Sequence, residues 1–228
     1  MNNPLPYGRQ TIDEDDIASV VEVLRGDWLT TGPAVAAFET AFAEQVAAKY
    51  AVACGSGTAG LHLAAIALGL DSSDTVVVPT ITFLATANAA RYVGAEVQFA
   101  DVDPDTGLMT ADSLGEAMAS AEKAGRKVTA VFPVHLNGQC AEMRDIAGVA
   151  EGLRIVEDAC HVLGGSYENV PAGSCRHAEM AVFSFHPVKT IAMGEGGAVA
   201  TNDPALRDRL QSFRNHGMVR DSDYFENR

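Results

Sequence analysis

Short runs of apolar residues recur along the chain from residue 50 onward, and helix-length segments separate most of them. Several runs lack strict alternation of polar and apolar positions, which is typical of strands covered on both faces. The pattern therefore predicts an α/β fold with a mainly parallel sheet, built as three α/β/α layers. The predicted strands cover residues 51–54, 75–79, 96–100, 128–134, 153–157, 181–185 and 198–201.

Helical periodicity precedes the first run and returns at the end of the chain. Thr11 and Glu14 fit a capping box, and Gly26 is expected to end the helix that follows. A second helix is predicted after Pro33, so that residues from about 1 to 48 form a helical arm. The segment 204–216 is also predicted to be a helix. The apolar face of the first helix consists of Ile17, Val20, Val21 and Leu24.

Composition and charge narrow the possible functions. The 228 residues are 47% hydrophobic and 20% charged, which is enough apolar material for one sizeable core. Lys and Arg number 16 against 30 Asp and Glu, for a net charge of −14, so nucleic acid is not expected as a partner. The apolar runs are too short to span a bilayer and residues 1–10 do not resemble a signal peptide. We expect a cytoplasmic protein with no membrane partner.

The cysteines indicate reduced thiols, because they are sparse and form no C-x-x-C pair. Cys160-His161 and Cys175-x-His177 give the nearest approach to a metal site, but their spacing matches no common zinc pattern. We therefore expect buried cysteines and no bound metal. The four residues are Cys54, Cys140, Cys160 and Cys175.

A turn after the first strand contains small and hydroxyl residues. Gly57 lets backbone amides approach an anion, Ser56 and Thr58 add hydroxyl donors, and the start of the following helix contributes its positive end. The turn matches neither G-x-x-x-x-G-K-[ST] nor G-x-G-x-x-G. It is interpreted either as a phosphate-binding turn or as a tight structural turn with an ordinary N-cap.

Two further strands end in chemistry-bearing residues. Asp158 ends the strand that begins near residue 153, where it serves either as a turn residue or as the partner of a cationic ligand nitrogen. Lys189 follows the strand at 181–185 and precedes the glycine-rich segment 194–197. A lysine there is either solvated or, with neighbours that lower its pKa, able to form an imine. A phosphate-binding turn, an acid and an amine in this order match the three contacts that pyridoxal phosphate requires.

With these residues the sequence resembles the DegT/DnrJ/EryC1/StrS family of sugar aminotransferases, which are fold type I pyridoxal-phosphate enzymes. The resemblance implies that the chain is the cofactor-binding large domain of such an enzyme and stops before a C-terminal small domain. Within the family, the start of the chain, segment 28–33 and segment 185–189 most resemble the branch that serves pseudaminic acid biosynthesis. The matching segments are 7–10, 26–33, 56–59, 79–83, 101–104, 157–161, 183–189 and 194–197.

The resemblance also implies roles for individual residues. Lys189 would hold the cofactor covalently and move a proton, Asp158 would pair with the ring nitrogen, and His161 would lie beside the oxygen side of the ring. Phe83 would stack on the ring, although a core aromatic is the alternative reading without the resemblance. The positions implied to bind the phosphate are Ser56, Gly57, Thr58 and Ser184. Those implied to meet the nucleotide sugar are Tyr7, Asp27, Trp28, Leu29, Thr30 and Ser56.

The implied reaction is transamination, because family members that act as dehydratases carry histidine in place of the lysine at position 189. L-Glutamate would supply the amino group, a 4-keto-6-deoxy nucleotide sugar would receive it, and the protein would work as a homodimer. Two alternatives stay open: a non-catalytic fragment that binds the cofactor or oligomerises, and lyase chemistry on an amino acid.

Overall fold

A computed structural model of the protein describes residues 8–218. Its helices are α1 (Glu14–Arg25), α2 (Pro33–Gln45), α3 (Gly57–Leu68), α4 (Leu84–Tyr92), α5 (Ala111–Lys123), α6 (Met143–Val149) and α7 (Pro204–Arg214). Its strands are β1 (Tyr50–Cys54), β2 (Thr75–Pro79), β3 (Glu96–Ala100), β4 (Val128–Val131), β5 (Arg154–Asp158), β6 (Ser166–Tyr167), β7 (Val170–Pro171), β8 (Met180–Ser184) and β9 (Gly197–Thr201).

All seven predicted strands join one seven-stranded sheet in the order β1-β9-β8-β5-β4-β2-β3. Every pairing in the sheet is parallel except the two pairings of β9, which runs against both neighbours. The predicted α/β fold with a mainly parallel sheet is thus confirmed. Strands β6 and β7 form a separate two-stranded ribbon.

Helices cover both faces of this sheet. On one face α3, α4 and α7 pack on alternate residues of the strands, such as Val76 and Val78 of β2. On the other face, α5 and α6 pack around Val77, and α2 packs on the end of the sheet that contains β8 and β9. Because consecutive strand residues point to opposite faces, the buried Val76-Val77-Val78 supplies both layers of core at once.

The N-terminal helices differ in detail from the prediction. Helix α1 is capped by Asp13, whose carboxylate accepts from the Asp15 and Asp16 amides, so the predicted capping box from Thr11 to Glu14 is wrong. The reason is local: Asp13 is itself a strong N-cap residue, and Asp16 completes the reciprocal bond. Gly26 does end the helix, as predicted, and no residue of α1 is buried.

Within residues 8–218, none of the helices has the length and apolar character required to span a membrane.

Candidate cofactor and active site

One cavity of about 730 Å³ opens at the carboxyl ends of β2, β4, β5 and β8, where α3 also begins. Ligands of open parallel sheets bind at this edge because loops and helix N-termini converge there. All eight residues predicted to hold the cofactor line the cavity. They are Ser56, Gly57, Thr58, Phe83, Asp158, His161, Ser184 and Lys189.

The start of α3 forms one wall of the cavity. Ser56 is the N-cap, and its Oγ accepts from the Ala59 amide at 3.1 Å, which leaves its own hydroxyl proton free to donate. The amides of Gly57 and Thr58 lie in the first helical turn, where the helix offers them no acceptor. Amides and hydroxyls at the positive end of a helix dipole form a site for an anion.

Gly57 is required by close approach of the neighbouring strands. A Cβ built on it would lie 2.9 Å from Ser184 Cβ and 3.0 Å from Cys160 Sγ, closer than side chains tolerate. Any larger residue would push the turn away from the end of β8. The absence of a side chain therefore keeps the Ser184 hydroxyl beside the amides of the turn. Ser184 Oγ accepts from the His186 amide at 3.4 Å, so its proton too is free to donate.

Asp158 is fixed at the base of the cavity. It is only 4% exposed, and both carboxylate oxygens have partners: Thr86 donates to Oδ2 at 2.7 Å and the Cys160 amide donates to Oδ1 at 3.2 Å. Its backbone is bonded to the extension of β4, through the Pro133 carbonyl at 2.8 Å and the His135 amide at 3.0 Å. The position of this acid is therefore set by tertiary contacts on both the side chain and the backbone.

Burial and neighbouring charges shift the pKa values of His161 and Cys160. Burial lowers the pKa of His161, and the positive charge of Lys189 lowers it further, whereas the negative charge of Asp158 partly opposes the shift. An imidazole with a lowered pKa is neutral at neutral pH. Burial also raises the pKa of the Cys160 thiol well above its usual range, which keeps that group protonated.

Of the predicted sugar-binding residues that the structure describes, Ser56 alone lines the cavity. Tyr7 lies outside the described residues. Trp28 and Leu29, between α1 and α2, are 59% and 71% exposed, and residues 27–30 are absent from the cavity lining. Their role in binding a sugar therefore stays a prediction. Ser56, assigned to both groups, lines the cavity.

A buried histidine that was not among the predicted site residues, His135, also borders this cavity. His135 is 1% exposed, lines the cavity, and contacts Glu157 through Nε2 at 2.9 Å. Its Nδ1 accepts from the Ala141 amide at 3.0 Å, so Nε2 carries the proton and donates to the carboxylate. His135 directly follows the apolar run at 128–134, and the rule that chemistry lies just after strands could have singled it out.

The family model described as the DegT/DnrJ/EryC1/StrS aminotransferase family matches residues 10–228. The chain belongs to this family. The match covers nearly the whole sequence and agrees with the fold and with the position of the cavity.

Several solved structures are similar to the chain. Spr1654 from Streptococcus pneumoniae, in its PLP form, is 28% identical with a TM-score of 0.87, and the match covers 96% of this chain and 59% of that one. PseC from Helicobacter pylori, an aminotransferase involved in pseudaminic acid biosynthesis, is 30% identical with a TM-score of 0.84, covering 95% and 57%. DesI, solved in the presence of its TDP-sugar product, is 36% identical with a TM-score of 0.84, covering 95% and 54%.

These similarities confirm the fold as that of pyridoxal-phosphate-dependent aminotransferases. A PMP form of Spr1654 also matches, and the family depends on pyridoxal phosphate, as the sequence predicted. The chain spans 54–60% of the length of the compared structures.

Proposed function

We propose that the protein is a pyridoxal-phosphate-dependent aminotransferase that transfers an amino group from L-glutamate to the C4 keto group of a nucleotide-linked 4-keto-6-deoxy sugar. The observation that carries the proposal is that Lys189 and Asp158 line one cavity, whose wall is the N-terminus of α3. Membership of a sugar aminotransferase family supports the reaction class.

The donors at the start of α3 suit the phosphate of this cofactor. Two backbone amides, from Gly57 and Thr58, combine with hydroxyls of Ser56, Thr58 and Ser184 around a turn that a Cβ at Gly57 would fill. This set has several neutral donors and the positive end of a 12-residue helix, which stabilise a dianion without a dedicated basic side chain. The residues present therefore fit the phosphate group.

Asp158 and Lys189 supply the two remaining contacts. The buried Asp158 carboxylate would face the ring nitrogen and keep its proton in place, because a nearby negative charge favours the protonated ring. When bound, pyridoxal phosphate supplies an electron sink that stabilises negative charge on the substrate carbon. The Lys189 amine would bond to the cofactor aldehyde at rest and, once released, carry a proton to and from the substrate carbon.

Two further side chains would orient the ring. Phe83 stands at the mouth of the cavity and is 70% exposed, so its ring face is available for stacking. His161, whose lowered pKa keeps the imidazole neutral, lines the same cavity and would act as a hydrogen-bond partner near the oxygen side of the ring.

The sugar substrate is proposed from the family and from similar proteins. The TDP-sugar product present with DesI and the role of PseC in pseudaminic acid biosynthesis support a nucleotide sugar. We propose that this chain catalyses the reaction of the UDP-4-amino-4,6-dideoxy-N-acetyl-β-L-altrosamine transaminases. Tyr7, the segment 27–30 and Ser56 would contact the sugar nucleotide.

The working form is proposed to be a cytoplasmic homodimer. Val20 and Leu24 of α1 are 60% and 63% exposed, and Phe83 and Leu84 add an apolar patch beside the cavity mouth. A second copy would cover these surfaces, because large exposed apolar patches mark interfaces. Sedimentation equilibrium tests the proposed homodimer. A dimer that Leu24→Glu converts to monomer supports the proposal, whereas a monomeric wild-type chain contradicts it.

We also propose that residues 1–228 form the large domain, in which residues from about 1 to 48 are the helical arm.

Absorbance spectroscopy tests the cofactor site. Purified protein with pyridoxal phosphate should develop a visible band from the covalently bound cofactor, and Lys189→Ala should abolish it. Lys127→Ala is the matched control, because Lys127 precedes β4 at the opposite edge of the sheet and is exposed. A visible band that persists in Lys189→Ala would disprove the assignment.

The amino donor is tested separately. Addition of L-glutamate should convert the bound cofactor to its amine form, with loss of the visible band and release of 2-oxoglutarate. Mass spectrometry with UDP-, GDP- and dTDP-linked 4-keto sugars then identifies the acceptor. Failure with every amino donor would favour a non-catalytic fragment, and release of a product other than the keto acid would indicate lyase chemistry.

A further inference from the structure

Asp158 is bonded to a hydroxyl that the proposed mechanism does not use. Thr86 is fully buried in the first turn of α4, and its Oγ1 lies 2.7 Å from Asp158 Oδ2. The same Oγ1 lies 2.7 Å from Thr82 Oγ1. Thr82 lines the cavity, so two hydroxyls connect its wall to the acid at its base.

The direction of these hydrogen bonds follows from the charge of the acid. An ionised carboxylate can only accept, so the proton between the two groups belongs to Thr86. Each hydroxyl has one proton, and Thr86 therefore accepts from Thr82. The Phe83 carbonyl, 3.1 Å from Thr86 Oγ1, is the longer alternative acceptor. A carboxylate is the better acceptor, because charge-assisted hydrogen bonds are shorter and stronger.

We infer that Thr86, supported by Thr82, is a positioning residue whose hydrogen bond holds the Asp158 carboxylate opposite the place of the cofactor ring nitrogen. The inference rests on the proposed function. Without the Thr86 donor, the carboxylate attracts the proton of the ring nitrogen more strongly. The Lys189 nitrogen bound to the cofactor would then be protonated more easily, because the ring beside it would carry less positive charge.

Other titratable groups line the cavity and are the same in the wild type and in the Thr86 variants. They are His135, Cys160, His161, His186, Lys189 and Glu195. Glu157 pairs with His135. Thr86 is neutral, so its replacement by a residue of equal shape changes none of these charges. A change in cofactor titration would then report the lost hydrogen bond.

The experiment measures the pH midpoint of the absorbance change of the bound cofactor, without substrate. Thr86→Val keeps the shape and removes the hydroxyl, and the midpoint should rise by about 0.5 to 1 unit. Thr86→Ser keeps the hydroxyl and should restore a midpoint close to that of the wild type. Thr82→Val should shift it in the same direction by less, because it acts through Thr86.

Thr201→Val is the matched control. Thr201 is fully buried, and its Oγ1 donates to the Glu179 carbonyl at 2.7 Å, but it lies at the opposite edge of the sheet, paired with Met180. The Thr201→Val substitution should reduce stability and leave the pH midpoint of the cofactor absorbance unchanged.

A Thr86→Val protein that titrates like the wild type overturns the inference. If Thr86→Val does not fold, Thr82→Val decides: a smaller upward shift supports the relay of hydroxyls and an unchanged midpoint overturns it. A wild-type protein with no visible band overturns the proposed function as well, so the two failures are distinguishable.

Discussion

Gly197 lies directly against the backbone of Ser56. A Cβ built on Gly197 would stand 2.5 Å from both the carbonyl carbon and the carbonyl oxygen of Ser56, and 2.8 Å from the Gly57 nitrogen. Gly197 pairs with Cys54 on one side and with Ser184 on the other, so the start of β9 joins two segments that line the cavity. The glycine-rich segment at 194–197 thus supports the turn that would bind the phosphate.

Gly197→Ala should displace this turn. The new methyl group would meet backbone atoms that cannot rotate away, so we expect the free energy of unfolding to fall by about 3 kcal/mol. Cofactor affinity should fall with it. Gly55→Ala, in the turn that Gly197 supports, is the control, because nothing lies within 4 Å of its Cβ position. Urea denaturation of both proteins gives the comparison, and equal stability of the two would contradict the prediction.

Glu39 joins α2, β1 and α7. Its Oε1 accepts from the Ala53 amide at 2.8 Å and is in contact with the Arg214 guanidinium, which also donates to the Ala53 carbonyl at 3.2 Å. Glu39→Ala leaves both donors without this acceptor and should cost about 2 kcal/mol of stability. Glu44→Ala, an exposed change on the same helix, should cost less than about 0.5 kcal/mol. Thermal unfolding measures both, and similar losses would refute a special role for Glu39.

His161 should make stability depend on pH. Its pKa in the folded protein is lowered, chiefly by burial, so the unfolded chain binds more protons near the usual histidine pKa. The stability contribution of His161 therefore rises as the pH increases from the folded to the unfolded pKa, and it is constant above and below this window. His161→Gln should flatten this part of the pH profile. The free energy of unfolding, measured without cofactor between pH 5 and 8, tests the expectation; an unchanged slope would argue against it.

Glu157 and His135 should behave as one unit. Glu157→Leu leaves the buried Nε2–H of His135 without an acceptor, and we expect a loss of about 2 to 3 kcal/mol. His135→Leu leaves a buried carboxylate without its donor and should cost at least as much. The double variant should lose less than the sum of the single losses, as measured by a double-mutant cycle. Additive losses would show that the 2.9 Å contact contributes nothing.

Much of the cavity could be anticipated from the order of residues along the chain. Each strand of the seven-stranded sheet was visible as an apolar run, whereas the two-residue strands β6 and β7 were not. The rule that ligands bind beyond the carboxyl ends of parallel strands pointed to Asp158 and to the region before Lys189. The N-cap of α1 was misplaced by two residues, because Thr11 and Asp13 are both good caps and local sequence does not choose between them.

Local patterning along the chain determined the elements, since burial on two faces and helical periodicity are properties of neighbouring residues. The motifs likewise determined the family. Only the tertiary structure decided which side chains meet. Thr86 reaches Asp158 across 72 positions in sequence, His135 meets Glu157, and Gly197 touches Ser56, because sheet order brings together segments that have no local relation. That Trp28 and Leu29 are exposed and do not line the cavity is likewise known only from the tertiary structure.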